Sequence, residues 1–172
     1  MAREGGFAGG LFAVFPCSPF RGEVDLGAVD YMRPIEQPEA LADTRAMIAR
    51  LKKIEDESSG AVRIVRNATQ LDACLDDGSL AAVLHVEGAE AIGPDLRELG
   101  ELYEAGVRSL GITWSRPTSF GHGVSFGFPG SPDEGPGLTD AGRALVRECK
   151  ALGSDFDDAA RTGRRLLPAR PL

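Results

Sequence analysis

The stretch LAAVLHVEGAEAIG, residues 80–93, decides how this chain is read. Leu80 to Val86 is a short, nearly unbroken apolar run, as in a strand buried on both faces. A parallel sheet covered by helices makes such strands. Side chains alternate along a strand, so Val83, His85 and Glu87 share one face and Leu84 and Val86 the other. Glu87 closes the run directly before Gly88, where a turn is expected.

Working upstream, Ala61–Val65 (AVRIV) reads as a short strand, and Asn67 or Thr69 as the cap of a helix over roughly 70–75. Asp77-Gly78 marks the turn into residue 80. Glu39 to Lys53 places Leu41, Ile48 and Leu51 at helical spacing. Pro16 to Pro38 reads as a long loop, preceded by the apolar strand LFAVF, residues 11–15.

Downstream, Pro94–Ala105 is a helix with Leu96, Leu99 and Leu102 on one side and Gly106 at its end. Val107–Thr113 (VRSLGIT) is a further strand, and a Gly/Pro loop runs from Ser115 to Gly137. Thr139 caps a helix that Gly153 stops. Strands alternating with helices in this order predict a parallel sheet with helices packed on it. A strand is due after Gly153, but no apolar run stands there. Residues from Ala159 onward, rich in Arg, Ala, Leu and Pro, read as a poorly ordered tail.

With 172 residues the chain is long enough for one domain with a core. A net charge of −7 with no basic patch points away from a nucleic-acid partner. No apolar run approaches the length of a membrane span, and the N-terminal residues lack the apolar stretch of a signal peptide. Cys17, Cys74 and Cys149 are scattered, with no C-x-x-C pair, which fits a reducing compartment. A cytoplasmic location is the expectation. The loop GHGVSFGFPGSPDEGPG, residues 121–137, lacks the G-K-[ST] ending of a phosphate loop and the spacing of a dinucleotide fold.

Two blocks carry a resemblance. REGGFAGGLFAVF spans residues 3–15. The second runs from residue 82 to 153 and contains Glu-Gly-Ala-x-x-Ile-Gly, then Ala-Gly-Val-Arg, then Gly-Leu-Thr-Asp-x-Gly. In these blocks the chain resembles the membrane (renal) dipeptidase family, peptidase family M19, in its bacterial branch. The resemblance covers about residues 3–153. It implies a (β/α)8 TIM barrel, here partial, with about five parallel strands and covering helices. It also implies two zinc ions at the mouth, hydrolysis of dipeptides by a dizinc-activated hydroxide, and tolerance of a D-residue at the second position.

Under that resemblance Glu87 matches the glutamate that bridges the metals. Read by itself, a strand-end glutamate in water or in a salt bridge is the plainer account. The carboxyl ends of barrel strands are, however, where catalytic groups sit, and a carboxylate offers separate oxygens to two cations. His85, one inward step deeper, is expected in a supporting or core role. Trp114 stands where many family members have a substrate-binding histidine, so it is either an apolar wall for a dipeptide side chain or a core residue. Arg116 is a candidate for the substrate carboxylate, the alternative being a solvated loop arginine. His122, in the glycine-rich loop, is a candidate for the mouth or for the loop surface.

The remaining ligands of the family, a His-x-Asp pair before residue 3 and two later histidines, have no counterpart in a chain with two histidines in all. Zinc sites take three or four protein ligands. The expectation is therefore a truncated, inactive dipeptidase barrel over residues 1–153, followed by a divergent tail over 154–172. A half-barrel that pairs with a complementary chain or a second copy, or that serves as a purely structural fragment, is the alternative.

Overall fold

The computed structural model describes residues 4–16, 33–124, 129–130 and 135–153, and the backbone of 155–157. Its frame is a parallel sheet. Five strands contribute: β1 (Gly9–Val14), β2 (Val62–Ile64), β3 (Leu80–Glu87), β4 (Val107–Gly111) and β5 (Asp155–Asp157). Between them run α1 (Gln37–Glu57), α2 (Ala68–Asp77), α3 (Arg97–Ala105) and α4 (Asp140–Leu152).

The order across the sheet is β1-β3-β4-β5, and every pairing is parallel. β3 is the hub. On one edge it pairs with β1 from Gly9↔Ala81 to Val14↔Val86. On the other it pairs first with β2, at Leu80 to Ala82, and then with β4, from Leu84 to Glu87. A strand flanked on both edges and covered on a face has no use for polar side chains, which explains its apolar sequence.

Ala82, Leu84 and Val86 pack with Ile48 and Leu51 of α1, Leu99 and Leu102 of α3, and Leu145 and Cys149 of α4 in the main core. The other face of β3 is different. Near its start, Cys74, the buried side chain of α2, packs with Val65 and Ala81, with Val83 alongside. The opposite faces of β3 thus meet different helices, as the alternation of its side chains requires.

In β4, Leu84 pairs with Val107 but His85 pairs with Ser109, so Arg108 is an extra residue. This bulge lets Val107 and Leu110, three positions apart, both enter the main core. Arg108 turns outward, its guanidinium donating to the carbonyls of Arg66 and Tyr103 and lying 3.8 Å over the Tyr103 ring.

Most expected elements form, with shifted ends. α1 starts at Gln37, with Pro38 in its first turn, and runs to Glu57. The Asn67 side chain caps α2 by accepting from the Gln70 amide at 2.9 Å. Thr139 caps α4 in the same way, accepting from Gly142, and Gly153 ends it with φ 72°. α3 starts at Arg97 instead of Pro94. A turn closes first, with the Leu96 amide on the Gly93 carbonyl and Leu96 left-handed at φ 61°.

β5 stands where a strand is due after Gly153, although no apolar run marks it; its parallel pairing, Ser109↔Asp155 to Gly111↔Asp157, extends the sheet beyond residue 153. Backbone hydrogen bonds along the β4 edge suffice for so short a strand without an apolar run. The expected tail from Ala159 onward lies outside the described residues, as do Cys17 and most of the loop after it.

Candidate functional site at the strand ends

The carboxyl ends of β1, β3 and β4 lie side by side, because Val14 pairs with Val86 and Glu87 with Gly111. Glu87 is the last residue of β3 and is half-buried. Alternation puts it on the face opposite Leu84 and Val86, away from α1, α3 and α4. Its carboxylate forms no hydrogen bond or ion pair with another described residue.

Directly after it the chain turns sharply. Gly88 has φ +91°, and the Gly88 and Ala89 amides donate to the carbonyls of Gly111 and Ile112 at 3.1 and 3.2 Å. The turn is thus stitched to the end of β4. A 3-10 turn, Ala89–Ala91, follows, and all three of its residues are buried.

Glu90 within this turn was not singled out from the sequence. Its side chain is 2% exposed and accepts from Arg116 Nε at 3.0 Å. Arg116 itself is fully buried. It also donates to the Pro16 carbonyl at 3.3 Å, and its guanidinium lies 5.4 Å from the Phe15 ring centre. The solvated-loop reading of Arg116 is corrected here: the side chain is buried, engaged by an internal carboxylate and a carbonyl. A glutamate three residues after Glu87 was the signal available, but pairing it with Arg116 needs the fold.

Trp114 is half-buried and meets Phe15 edge-on, with ring centres 4.9 Å apart. It therefore belongs to the same rim as Glu90 and Arg116. His122 is exposed, its backbone amide bonded to the Gly137 carbonyl. No hydrogen bond among the described residues joins it to Glu87. His85 is 4% exposed, and its Nδ1 is 2.8 Å from the Ser109 hydroxyl, itself buried. That bond spans a directly paired position, so His85 is a satisfied polar group in the sheet interior.

Among the described residues, no three His, Cys, Asp or Glu side chains gather as a metal cluster. Glu87 fits one ligand position. The described residues do not by themselves fit a zinc site, which needs three or four ligands.

A sequence model of the membrane dipeptidase family (peptidase family M19) matches residues 1–161. The chain belongs to this family. Among solved structures, it is similar to a metallopeptidase named dipeptidase AC, of family M19, at 45% identity and TM-score 0.80. The alignment covers 91% of this chain and 44% of that one. It is also similar to a metallopeptidase from Rhodobacter sphaeroides liganded with a phosphinate mimic of the dipeptide L-Ala-D-Ala. There the identity is 42% and the TM-score 0.81, over 91% of this chain and 47% of that one. An uncharacterized Acinetobacter calcoaceticus protein, from the PQQ-III 3′ region, is 36% identical over 86% of this chain and 47% of its own length. The chain thus spans less than half the length of these relatives. Its parallel sheet with helical cover matches part of the TIM-type barrel of these M19 relatives.

Proposed function

We propose that this chain contributes one metal-bridging carboxylate, Glu87, to a zinc-dependent dipeptidase. The substrates are dipeptides, including those with a D-residue at the second position. The supporting observation is the place of Glu87: at the carboxyl end of the central strand, on the face away from α1, α3 and α4, with no hydrogen bond or ion pair to another described residue. The Rhodobacter relative that holds an L-Ala-D-Ala mimic supports the substrate class. Two zinc ions would activate the water that attacks the peptide bond. Trp114, braced by Phe15, forms an apolar wall of the dipeptide site, and exposed His122 lies on the loop beside it.

Glu87 alone cannot hold two ions, so the 172 residues by themselves are inactive. Purified chain with excess zinc, assayed against a dipeptide panel including L-Ala-D-Ala, is expected to give no turnover. Robust turnover would overturn the inactivity. Co-expression with the complementary segment of the Rhodobacter relative should restore zinc uptake and hydrolysis, and Glu87→Gln should abolish both. Uptake that survives this substitution would remove Glu87 from the site.

A second reading, that a complementary chain or second copy covers the sheet, is favoured by apolar exposure. Leu11 of β1 is 56% exposed, and Phe7 just before it is 54% exposed. Sedimentation should then show oligomers at micromolar concentration, and a clean monomer would count against it. The cytoplasmic location belongs to the same proposal. It is supported by two free, buried thiols, Cys74 and Cys149, and cell fractionation tests it. No helix among the described residues is long and apolar enough to cross a membrane.

A further inference from the structure

Most ion pairs among the described residues lie on the surface, as in Arg45–Glu101, whose side chains are 54% and 48% exposed. Arg116–Glu90 is of another kind, with 0% and 2% exposure. A buried pair is often no more stabilising than apolar residues of the same volume. Filling space therefore does not account for it. Its connections do. Arg116 follows β4, Glu90 follows β3, and the Pro16 carbonyl follows β1. One guanidinium thus ties the segment after β4 to those just beyond β3 and β1.

The carboxylate of Glu90 is also folded back over the turn that leaves Glu87. A side chain at Gly88 would place its Cβ 2.2 Å from Glu90 Oε2 and 3.0 Å from Cδ. That second oxygen has no hydrogen-bond partner among the described residues, so within them the pair accepts an unsatisfied atom to keep this position.

We propose that Arg116 and Glu90 are positioning residues that lock the rim of strand ends. The lock holds the Glu87–Gly88 turn against β4 and Trp114 against Phe15. Supporting residues of this kind fix the direction of site residues they do not replace. The consequence for hydrolysis rests on the reading of Glu87 given above; the lock itself does not.

Amide exchange by NMR on the full 172-residue chain tests it. The variants are Glu90→Leu/Arg116→Met, which replaces the pair by apolar groups, and Glu90→Gln, which keeps the shape and removes the charge. In both, the Gly88 and Ala89 amides should exchange at least about tenfold faster relative to the amides of Leu84 and Val86, as local opening predicts. Emission from Trp114, the single tryptophan, should shift to the red. A merely structural pair would move all sheet amides together. Wild-type protection at Gly88 and Ala89 with unchanged emission, in either folded variant, would overturn the proposal. Glu87→Gln should leave protection and emission as they are. If zinc uptake by the co-expressed complex then proves independent of Glu87 while the lock still opens in the pair variants, the metal reading fails alone.

Discussion

Gly88→Ala offers a direct measurement of how firmly the buried pair is held. Two costs add. The backbone there has φ +91° and ψ 130°, a region that side-chain-bearing residues avoid at about 1–3 kcal/mol. The new methyl carbon would also stand 2.2 Å from Glu90 Oε2. On a surface, the end of a glutamate simply swings aside. Here the other oxygen of the carboxylate is engaged by Arg116 and the side chain is 2% exposed. Displacing it takes the carboxylate from a fully buried guanidinium, and breaking such a pair costs about 3–5 kcal/mol.

Gly60→Ala is the reference. Gly60 also has positive φ, +83°, but nothing lies within 4 Å of the Cβ position. It should cost about 1–2 kcal/mol from backbone strain alone. Urea unfolding of both variants, compared at a common slope, should therefore separate them by about 3–6 kcal/mol. The separation should largely vanish when both substitutions are made in a Glu90→Ala background, since the clash is gone. Equal losses for Gly88→Ala and Gly60→Ala in the wild-type background would refute the claim that the carboxylate is locked.

Other expectations follow from the same structure. Leu84 is completely buried among α1, α3 and α4, so Leu84→Ala should lower unfolding stability by about 2–5 kcal/mol in urea titration. Burial, with the neighbouring Glu148 charge, pushes the Cys149 thiol up to about 12. It should resist thiol reagents at pH 8 until denaturant is added, and rapid labelling of the native chain would contradict this. The Asp77 carboxyl is held below its ordinary range by hydrogen bonds from the Ser79 side chain and amide, and further by Arg63. Its contribution is complete above the ordinary value of 3.8 and lost as pH falls through the depressed one. The stability gap between wild type and Asp77→Ala should therefore narrow in acid; a gap independent of pH would exclude the carboxylate as its source.

Local chemistry was legible wherever a residue acts on its near neighbours. The apolar run of β3, the caps at Asn67 and Thr139, and the stop at Gly153 are short-range facts, and the structure contains each. The strand period likewise placed Glu87 on the face away from Leu84 and Val86, since alternation needs no partner. The ordered motifs around Glu87 sufficed to bring the family into view.

Tertiary structure alone decided what depends on pairing across distance. The bulge at Arg108 exists because Val107 and Leu110 both gain by entering the core, a balance absent from the local sequence. β5 forms on backbone hydrogen bonds offered by the edge of β4, which composition does not register. Arg116 reads as a loop arginine until three strand ends converge on it, 26 residues from Glu90 and 100 from Pro16. Burial, which turns that guanidinium from a solvated charge into an internal clasp, is a property of the assembled sheet and of no single stretch within it.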